Sequence, residues 1–365
     1  MDRWQIAIDR DRIAQAELIG LPSHALASGE VEVAIDLVAL TANNITYAAL
    51  GPKTPFLGPD AGYWDFFDER DEPGRLPVWG FATVVQSTVE GVAVGEQFYG
   101  YWPLASHAVL QPGNVRGPGF ADISARRARL PATYNTYTRL PALGDYRAAD
   151  RDWWPIFRPL FLTGWLIADQ FEDEADYGAA AVIVSGASSK TAMGFAYTMK
   201  ARGDGPTLIG LASPRSRAFT SATKLYDQVV DYDDVASLAV DGRVAMVDFA
   251  GNPVATRAVH ERFDDSLAID LIVGITHWDA ERGALALPGP RPVGFFAPGR
   301  IERRTADWGA PAFRRAVENA WLGFIDDAKA LTSVERRSGG DAALVAYRDA
   351  VAGTVDPRVG VLIEP

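Results

Sequence analysis

The sequence contains no cysteine, and this absence removes several classes of chemistry. Without thiols, disulfides, thiolate zinc sites, iron–sulfur clusters and cysteine nucleophiles are all excluded. Histidine is also scarce, because His24, His107, His260 and His277 are the only four in 365 residues. A metal site built from several histidines would have to use most of them, so the sequence predicts no metal centre.

Positive charge is in deficit, with 35 Lys and Arg against 47 Asp and Glu and a formal net charge of −12. Nucleic-acid binding depends on Lys and Arg that neutralise phosphates, so we expect no nucleic-acid partner. No run of about 18 uninterrupted apolar residues occurs, and residues 1–16 lack the apolar core of a secretory signal. We therefore expect no membrane association and a cytoplasmic location.

The first part of the chain has the pattern of β-strands. Residues 30–40 alternate apolar and polar side chains, which is typical of a half-buried strand. Residues 78–89 form a second such run, and a turn at 91–95 leads into a third. Glycine and proline separate these runs, as in a small barrel or sandwich.

The middle of the chain predicts a different architecture. Continuous apolar runs such as 179–185 are expected for strands that are buried on both faces. Further strands are predicted at 206–212, 228–232, 244–249, 268–274 and 293–297, with helices at 161–171, 191–202 and 221–226. Alternating strands and helices indicate an α/β fold with a doubly wound parallel sheet. At about 150 residues per domain, the length predicts two domains.

Residues 182–194 carry the strongest chemical signal, because they read as strand, tight turn and helix start. Backbone N–H groups at such a helix start can hold a pyrophosphate. The turn offers Gly186, Ser188, Ser189, Lys190 and Thr191, a degenerate form of the G-x-G-x-x-G dinucleotide fingerprint. A serine replaces the second glycine of a P-loop, which argues against a P-loop NTPase. A plain strand-to-helix turn is the alternative interpretation.

The end of the next strand favours NADP(H) over NAD(H). NAD enzymes place a carboxylate there for the ribose 2′-hydroxyl, whereas NADP enzymes place Arg and small polar groups. Here Ser213, Arg215 and Arg217 follow the strand without a carboxylate. Guanidinium and hydroxyl groups suit a dianionic phosphate. The alternative is a solvated loop with two surface arginines.

Several short motifs, taken in order, resemble those of the medium-chain dehydrogenase/reductase superfamily, nearest its zinc-free quinone oxidoreductase and enoyl reductase branches. These motifs are GEVEV at 29–33, LTANNITY at 40–47, PVWGFATVV at 77–85, VGEQFYG at 94–100, TGW at 163–165, LYDQVVDY at 225–232 and VDFAGN at 247–252. The aromatic blocks at 63–67 and 77–81 suggest a divergent, uncharacterised subfamily.

The resemblance implies a GroES-like, β-barrel-type catalytic domain over residues 1–150, completed by 310–365. It implies a Rossmann dinucleotide-binding domain over 151–309. Zinc alcohol dehydrogenases of this superfamily carry a cysteine ligand and a Gly-His-Glu motif, but this chain has no cysteine and reads Trp79-Gly80-Phe81-Ala82 there. Catalytic and structural zinc are therefore not expected.

The resemblance also implies where the substrate reacts. Tyr47 and Tyr63 are the candidate proton donors, and Asn43 and Thr46 could orient a carbonyl or the nicotinamide carboxamide. Buried aromatics with capped hydroxyls and ordinary loop hydrogen bonds are the alternative roles. The surrounding aromatic residues would form an apolar substrate wall or pack the domain. His277 is a weaker acid–base candidate.

Together these features predict a zinc-independent, NADP(H)-dependent oxidoreductase. Its substrate would be an activated double bond, quinone or carbonyl in a partly apolar or aromatic small molecule. Residues 293–298 resemble a strand that pairs between nucleotide domains in dimeric members of the superfamily, so a homodimer is expected. The alternatives are an inactive nucleotide-binding or sensing protein of the same fold, and a lyase or isomerase that uses nicotinamide transiently.

Overall fold

The structure is a computed structural model, and it describes residues 2–54, 57, 61–67, 72–127, 130–274 and 286–365. His277 lies outside these residues. The chain divides into two compact units, one formed by Met1–Ile156 with Thr332–Pro365 and the other by Phe157–Leu331. No helix in the described ranges is both long and apolar enough to cross a membrane.

The strands follow the chain in this order: β1 (Trp4–Ile8), β2 (Ala16–Gly20), β3 (Val31–Leu40), β4 (Pro77–Ser87), β5 (Gln97–Pro103), β6 (His107–Leu110), β7 (Pro112–Arg116), β8 (Gly119–Asp122), β9 (Thr136–Arg139), β10 (Ala181–Ser185), β11 (Thr207–Ala212), β12 (Gln228–Asp231), β13 (Val244–Asp248), β14 (Leu267–Ile272), β15 (Val293–Gly294), β16 (Ser333–Ser338) and β17 (Val359–Glu364).

The α-helices follow in the same way: α1 (Ala42–Ala49), α2 (Ala132–Asn135), α3 (Trp153–Asp173), α4 (Lys190–Arg202), α5 (Pro214–Ala222), α6 (Pro253–Phe263), α7 (Ala297–Trp308), α8 (Ala310–Leu331) and α9 (Gly340–Val351).

The first unit is built on a large sheet with the strand order β16-β17-β3-β4-β5-β9-β8-β7, and β6 also pairs with β3. All its pairings are antiparallel except the parallel pair β16 and β17. The alternating pattern at 30–40 predicts a half-buried strand, but β3 is buried along almost its whole length. Even Glu32 is buried there, because the Arg3 guanidinium pairs with its carboxylate at 2.6 Å.

The second unit contains a parallel sheet with the order β12-β11-β10-β13-β14-β15. All five residues of β10 and of β13 are buried, as the continuous apolar runs predict for central strands. The order reverses between β10 and β13, which is the switch point of a doubly wound sheet. The predicted α/β fold class is confirmed.

One predicted helix is wrong. The sequence pattern predicts a helix at 221–226, whereas α5 spans Pro214–Ala222. Pro214 occupies the first turn of α5, where proline is well tolerated, and Ser213 caps it. The predicted strand at 293–297 is also shorter, because Ala297 already begins α7.

The compact units differ from the predicted domain boundaries at 150 and 310. Helix α8 belongs to the second unit, although the resemblance implied that 310–365 completes the first. Trp321 and Phe324 of α8 pack on Phe161 of α3, with ring centroids 5.6 and 4.7 Å apart. This packing ties α8 to the second unit. The assignment of a separate role to each domain stays a prediction.

Candidate functional site

The turn between β10 and α4 has the geometry of an anion-binding helix start. Gly186 has φ +60°, a conformation that L side chains rarely adopt. An added Cβ there would lie 3.3 Å from the Ala250 nitrogen. Ser189 caps α4, since its side chain accepts from the Ala192 N–H at 3.2 Å. Ser188 and Lys190 are half-buried beside this cap, at the end of the helix that carries partial positive charge.

Tyr232 closes this turn from the end of β12. The Gly186 N–H donates to its hydroxyl at 2.8 Å, so this amide is already used inside the protein. Burial raises the pKa of Tyr232 to about 12, so the hydroxyl keeps its proton at neutral pH and can itself donate. In the sequence, Tyr232 is the last residue of the motif at 225–232, which gives no sign of this role.

Asp248 holds the turn after β13 beside the Gly186 turn. Its carboxylate accepts from the Ser185 hydroxyl, and from the backbone N–H groups of Ala250 at 3.0 Å and Gly251 at 2.8 Å. Thr256 donates to the other oxygen at 3.1 Å. A buried carboxylate that accepts several hydrogen bonds holds the surrounding backbone in a fixed position. Asp248 is therefore a structural residue of the site rather than a free acid.

A close helix crossing sets the position of α4. An added Cβ on Gly164 of α3 would lie 2.5 Å from the Phe195 nitrogen and 2.6 Å from the Thr191 oxygen. An added Cβ on Gly194 of α4 would lie 3.0 Å from the Cα of Phe161. The two glycines therefore let α3 and α4 approach closely. Gly194, the last residue of the segment 182–194, therefore has a packing role.

The second group of predicted residues lies at the start of α5, at the end of β11. Ser213 and Ser216 form a capping box, with their hydroxyl oxygens 3.1 Å apart. Arg215 and Arg217 lie on the exposed side of the first turns of α5. The Arg217 guanidinium pairs with the carboxylate of Asp231. Ser213 therefore caps α5, and the carboxylate of Asp231 partly compensates the positive charge of Arg217.

In the first unit, α1 carries the predicted substrate-side residues. Thr41 caps α1: the Asn44 carboxamide oxygen accepts from the Thr41 backbone N–H at 2.7 Å, and its nitrogen donates to the Pro77 carbonyl at 2.9 Å. Thr46 and Tyr47 are buried, and Asn43 is half-buried one helical turn before Tyr47. Asn44 is thereby occupied with structure, whereas Asn43 stays beside Tyr47.

Tyr47 and Tyr63 are in direct contact, as members of one buried aromatic cluster. Their ring centroids lie 4.5 Å apart, although they come from α1 and from the 3-10 helix Tyr63–Phe66. Tyr101 of β5 lies 5.7 Å from Tyr47 at an angle of 88°. Trp79 of β4 is paired with Tyr101 in register, with rings 4.8 Å apart. Tyr134 completes the group, 6.2 Å from Tyr63.

Burial dominates the electrostatics of this tyrosine cluster, which comprises Tyr47, Tyr63, Tyr101 and Tyr134. It raises the pKa of each hydroxyl above the usual range. For Tyr47, the side chains of Asn43, Trp79 and Tyr101 act against this shift. At neutral pH the four hydroxyls therefore carry their protons. The sequence predicts only an aromatic wall around Tyr47 and Tyr63, and it gives no signal for Tyr134.

A buried arginine anchors the loop that carries Tyr63. Arg127 is 1% exposed, and its Nε donates to the Phe66 carbonyl at 2.9 Å. Its Nη1 lies 3.3 Å from Asp122 and from the Asn135 oxygen. The Arg127 guanidinium also stacks over Phe67 at 4.5 Å. Arg127 lies in no sequence motif, so the sequence gives no signal for it.

Metal ligands do not come together in the part of the chain that the structure describes: no three His, Asp or Glu side chains form a group that could hold an ion. The absence of a metal centre stays a prediction. His260 is buried against Asp270, with its Nε2 3.1 Å from the carboxylate and its Nδ1 2.7 Å from the Pro288 carbonyl oxygen.

The family assignment follows from a match over most of the chain. The family described as "Protein of unknown function (DUF2855)" matches residues 38–356. The chain belongs to this family. No curated protein matches the sequence. A family of unknown function agrees with the divergent subfamily expected from the aromatic blocks.

Several solved structures share this fold, and three of them are described here. CurA from Vibrio vulnificus, in complex with NADPH, is 14% identical, with 99% of this chain and 98% of that chain covered and a TM-score of 0.59. The yhdH oxidoreductase from Salmonella enterica, in complex with NADP, is 16% identical, with 99% of both chains covered and a TM-score of 0.54. A putative NADPH:quinone reductase from Mesorhizobium loti is 14% identical, with 96% and 90% covered and a TM-score of 0.55.

At these identities the matches establish the fold. They confirm the α/β fold with a parallel, Rossmann-like sheet that the resemblance to medium-chain dehydrogenases/reductases implied, over 99% of this chain.

Proposed function

We propose that this DUF2855 protein is an NADPH-dependent, zinc-independent reductase. The turn from β10 into α4 carries this proposal, because it combines a left-handed glycine with a capped helix start at the switch point of the sheet. Such a turn is where doubly wound sheets bind dinucleotides. The solved structures of the same fold that hold NADPH or NADP support it.

The residues around the turn fit a dinucleotide. Gly186, Ser188, Ser189, Lys190 and Thr191 would hold the pyrophosphate, and Gly186 leaves room where a Cβ would meet Ala250. The Tyr232 hydroxyl is an additional donor at this place. Arg215, with Arg217 and Ser213, would hold the 2′-phosphate. NADPH, when bound, supplies the hydride.

The first unit contains the candidates for proton donation and substrate contact. Tyr47 and Tyr63 are in contact, and burial raises the pKa of both, so each hydroxyl carries the proton that a donor to a reduced substrate must supply. Asn43 and Thr46 flank Tyr47 on α1 and would orient a carbonyl group. The aromatic surroundings favour a substrate that is partly apolar, with an activated double bond, a quinone or a carbonyl.

Binding of the two nicotinamide cofactors tests the proposal most directly. Ten tryptophans make intrinsic fluorescence a suitable signal. We expect NADPH to bind more tightly than NADH by about tenfold or more, and Arg215→Ala to remove that preference. Arg257→Ala, on the exposed face of α6, is the matched control and should keep it. If neither cofactor binds at millimolar concentration, the proposal is wrong.

Turnover separates the remaining alternatives. Enones, enoyl thioesters and quinones are the substrates to screen, with NADPH absorbance as the readout. Tight NADPH binding without oxidation of NADPH by any acceptor would favour a sensing protein of the same fold. Substrate turnover with no net change in NADPH would favour a lyase or isomerase.

The assembly is also part of the proposal. Val293 of the edge strand β15 is 52% exposed, and an exposed apolar edge strand is suited to pairing with another chain. We propose a homodimer in the cytoplasm. Light scattering of the wild type and of Val293→Asp would test it, since the introduced charge should favour the monomer.

A further inference from the structure

The turn from β10 into α4 uses most of its backbone N–H groups inside the second unit. Three N–H groups donate there: that of Gly186 to the Tyr232 hydroxyl at 2.8 Å, that of Ala187 to the Leu211 carbonyl at 3.2 Å and that of Ser189 to the Gly186 carbonyl at 2.8 Å. Within the described part of the chain, the N–H of Ser188 has no such partner. Ser188 is half-buried rather than enclosed, and a backbone donor without a partner is one that a ligand can use.

A tyrosine outside the turn holds the carbonyl next to this N–H group. The Tyr226 hydroxyl donates to the Ala187 oxygen at 2.8 Å, and both residues are buried. Burial raises the pKa of Tyr226 above its usual range, so the hydroxyl keeps the proton that it donates. The C=O and N–H of a trans peptide unit point in opposite directions. An Ala187 carbonyl held towards Tyr226 therefore turns the Ser188 N–H away from the protein interior.

Strand β11 fixes the position of Tyr226. The neighbouring Asp227 donates its backbone N–H to the Leu208 carbonyl at 2.9 Å, and the Leu208 N–H donates to the Asp227 carboxylate at 2.8 Å. Gly210 makes room for the tyrosine ring, because an added Cβ there would lie 2.9 Å from Cγ of Tyr226 and 3.0 Å from Cβ of Ala187. Glycine inside a strand weakens it and often marks such a close approach.

We infer that Tyr226 is a positioning residue of the pyrophosphate site: its hydroxyl holds the Ala187 carbonyl inward, so that the Ser188 N–H points outward and donates to a phosphate oxygen. This inference rests on the proposed binding of NADPH at the turn. The Gly186 N–H is engaged by Tyr232, so Gly186 contributes room rather than a donor. The partial positive charge at the start of α4 adds to the attraction of the anion. Tyr226 acts through the Ala187 peptide and not by contact with the cofactor.

The two nicotinamide cofactors give the first test, because they share the pyrophosphate. In Tyr226→Phe the Ala187 carbonyl loses its donor. We expect the affinities for NADPH and for NADH each to fall roughly tenfold, with their ratio unchanged, whereas Arg215→Ala should change the ratio. Tyr177→Phe is the matched control. Its hydroxyl also takes part in a hydrogen bond, at 2.7 Å from the Gln170 nitrogen, but Tyr177 precedes β10 and the turn follows that strand.

A signal from Ser188 itself separates positioning from a general loss of structure. In full-length protein labelled with ¹⁵N-serine, the amide signal that is missing from Ser188→Ala identifies residue 188. Titration with inorganic pyrophosphate should shift this signal in the wild type, and in Tyr226→Phe the same shift should need roughly tenfold more pyrophosphate. Gly210→Ala should act in the same direction although it keeps the hydroxyl, because its methyl group displaces the tyrosine ring from Ala187.

The outcomes separate this inference from the proposed function. If Tyr226→Phe binds both cofactors as tightly as the wild type, or if Tyr177→Phe weakens binding equally, the inference is wrong and cofactor binding still stands. A Ser188 amide that does not respond to pyrophosphate, in a protein that binds NADPH, also overturns it. A selective loss in Tyr226→Phe supports it even where no acceptor is reduced, in which case the reductase function alone fails. A wild type that binds neither pyrophosphate nor a cofactor overturns both.

Discussion

Arg217 is paired with Asp231, whose strand β12 ends beside the first turns of α5. The guanidinium that suits a 2′-phosphate is therefore already engaged by a carboxylate of the same chain. Arg217 is 47% exposed, so solvent screens the pair. Any phosphate bound there competes with Asp231, and the strength of that competition can be measured.

Asp231→Asn should strengthen NADPH binding, because it releases Arg217 for the phosphate. An exposed ion pair contributes up to about 1 kcal/mol, so we expect a gain of up to about fivefold for NADPH and no gain for NADH. Fluorescence titration at low and high salt measures both. Asp233→Asn removes the same charge from the 3-10 helix Tyr232–Ser237 and is the control. A weaker affinity for NADPH in Asp231→Asn would instead make Asp231 itself a ligand.

Gly186→Ala should combine a loss of stability with a loss of cofactor binding. The φ of +60° costs an L residue about 1–2 kcal/mol, and the added Cβ would press on the Ala250 nitrogen at 3.3 Å. Gly203→Ala, at the C-terminus of the same helix, has φ +79° and no neighbour within 4 Å of its added Cβ. Both variants should lower the free energy of unfolding, but only Gly186→Ala should weaken NADPH binding. If Gly186→Ala and Gly203→Ala bind NADPH with equal affinity, the turn at Gly186 is not part of the cofactor site.

The sequence predicts the parallel sheet well because its signal is local. Runs such as the buried residues of β10 and β13 are apolar throughout, and only a central strand tolerates that pattern. The helix at 214–222 was missed for a different reason. Its apolar face is short, so the periodic signal is weak. The informative signal is the Ser213 cap followed by Pro214, but the arginines at 215 and 217 also fit a solvated loop.

The candidate site is predictable only in part. Tyr47 and Tyr63 follow from the resemblance to a family, but their contact requires the 3-10 helix to fold back on α1. Tyr101 and Trp79 meet through the register of β4 and β5, and Tyr134 arrives from α2, so their proximity is a tertiary property. Arg127 has no sequence signal, because a buried arginine is recognisable only by its partners.

The helix crossing at Gly164 predicts a strong effect of a single methyl group. Gly164→Ala would place a Cβ 2.5 Å from the Phe195 nitrogen, and backbone cannot move aside as a flexible side chain can. We expect a loss of about 2–4 kcal/mol in the free energy of unfolding, measured by chemical denaturation. Gly299→Ala in α7 is the opposite control. Its nearest neighbour is 3.8 Å away, so it should stabilise the protein by about 0.5–1 kcal/mol. If Gly164→Ala and Gly299→Ala change the free energy of unfolding by similar amounts, α3 and α4 do not approach closely at Gly164.

The buried His260 predicts a dependence of stability on pH. Burial lowers its pKa, but the Asp270 carboxylate and the Pro288 carbonyl accept from both ring nitrogens and outweigh burial, so the pKa of His260 is raised above 6.5. A raised histidine pKa means that the folded state binds the proton more tightly. Its stabilising contribution is complete below the unfolded value and disappears as the pH rises through the folded value.

We therefore expect the free energy of unfolding to fall from about pH 6.5 towards pH 8, and His260→Gln to flatten this dependence. The pKa of Asp270 is also raised, chiefly by burial, and acts with the same sign at more acidic pH. His107→Gln is the informative comparison, because burial and Arg3 lower the pKa of His107, which gives the opposite sign. Urea denaturation across this range distinguishes the two histidines. A wild-type stability that rises with pH, and still rises in His107→Gln, would contradict a charged His260 in the folded protein.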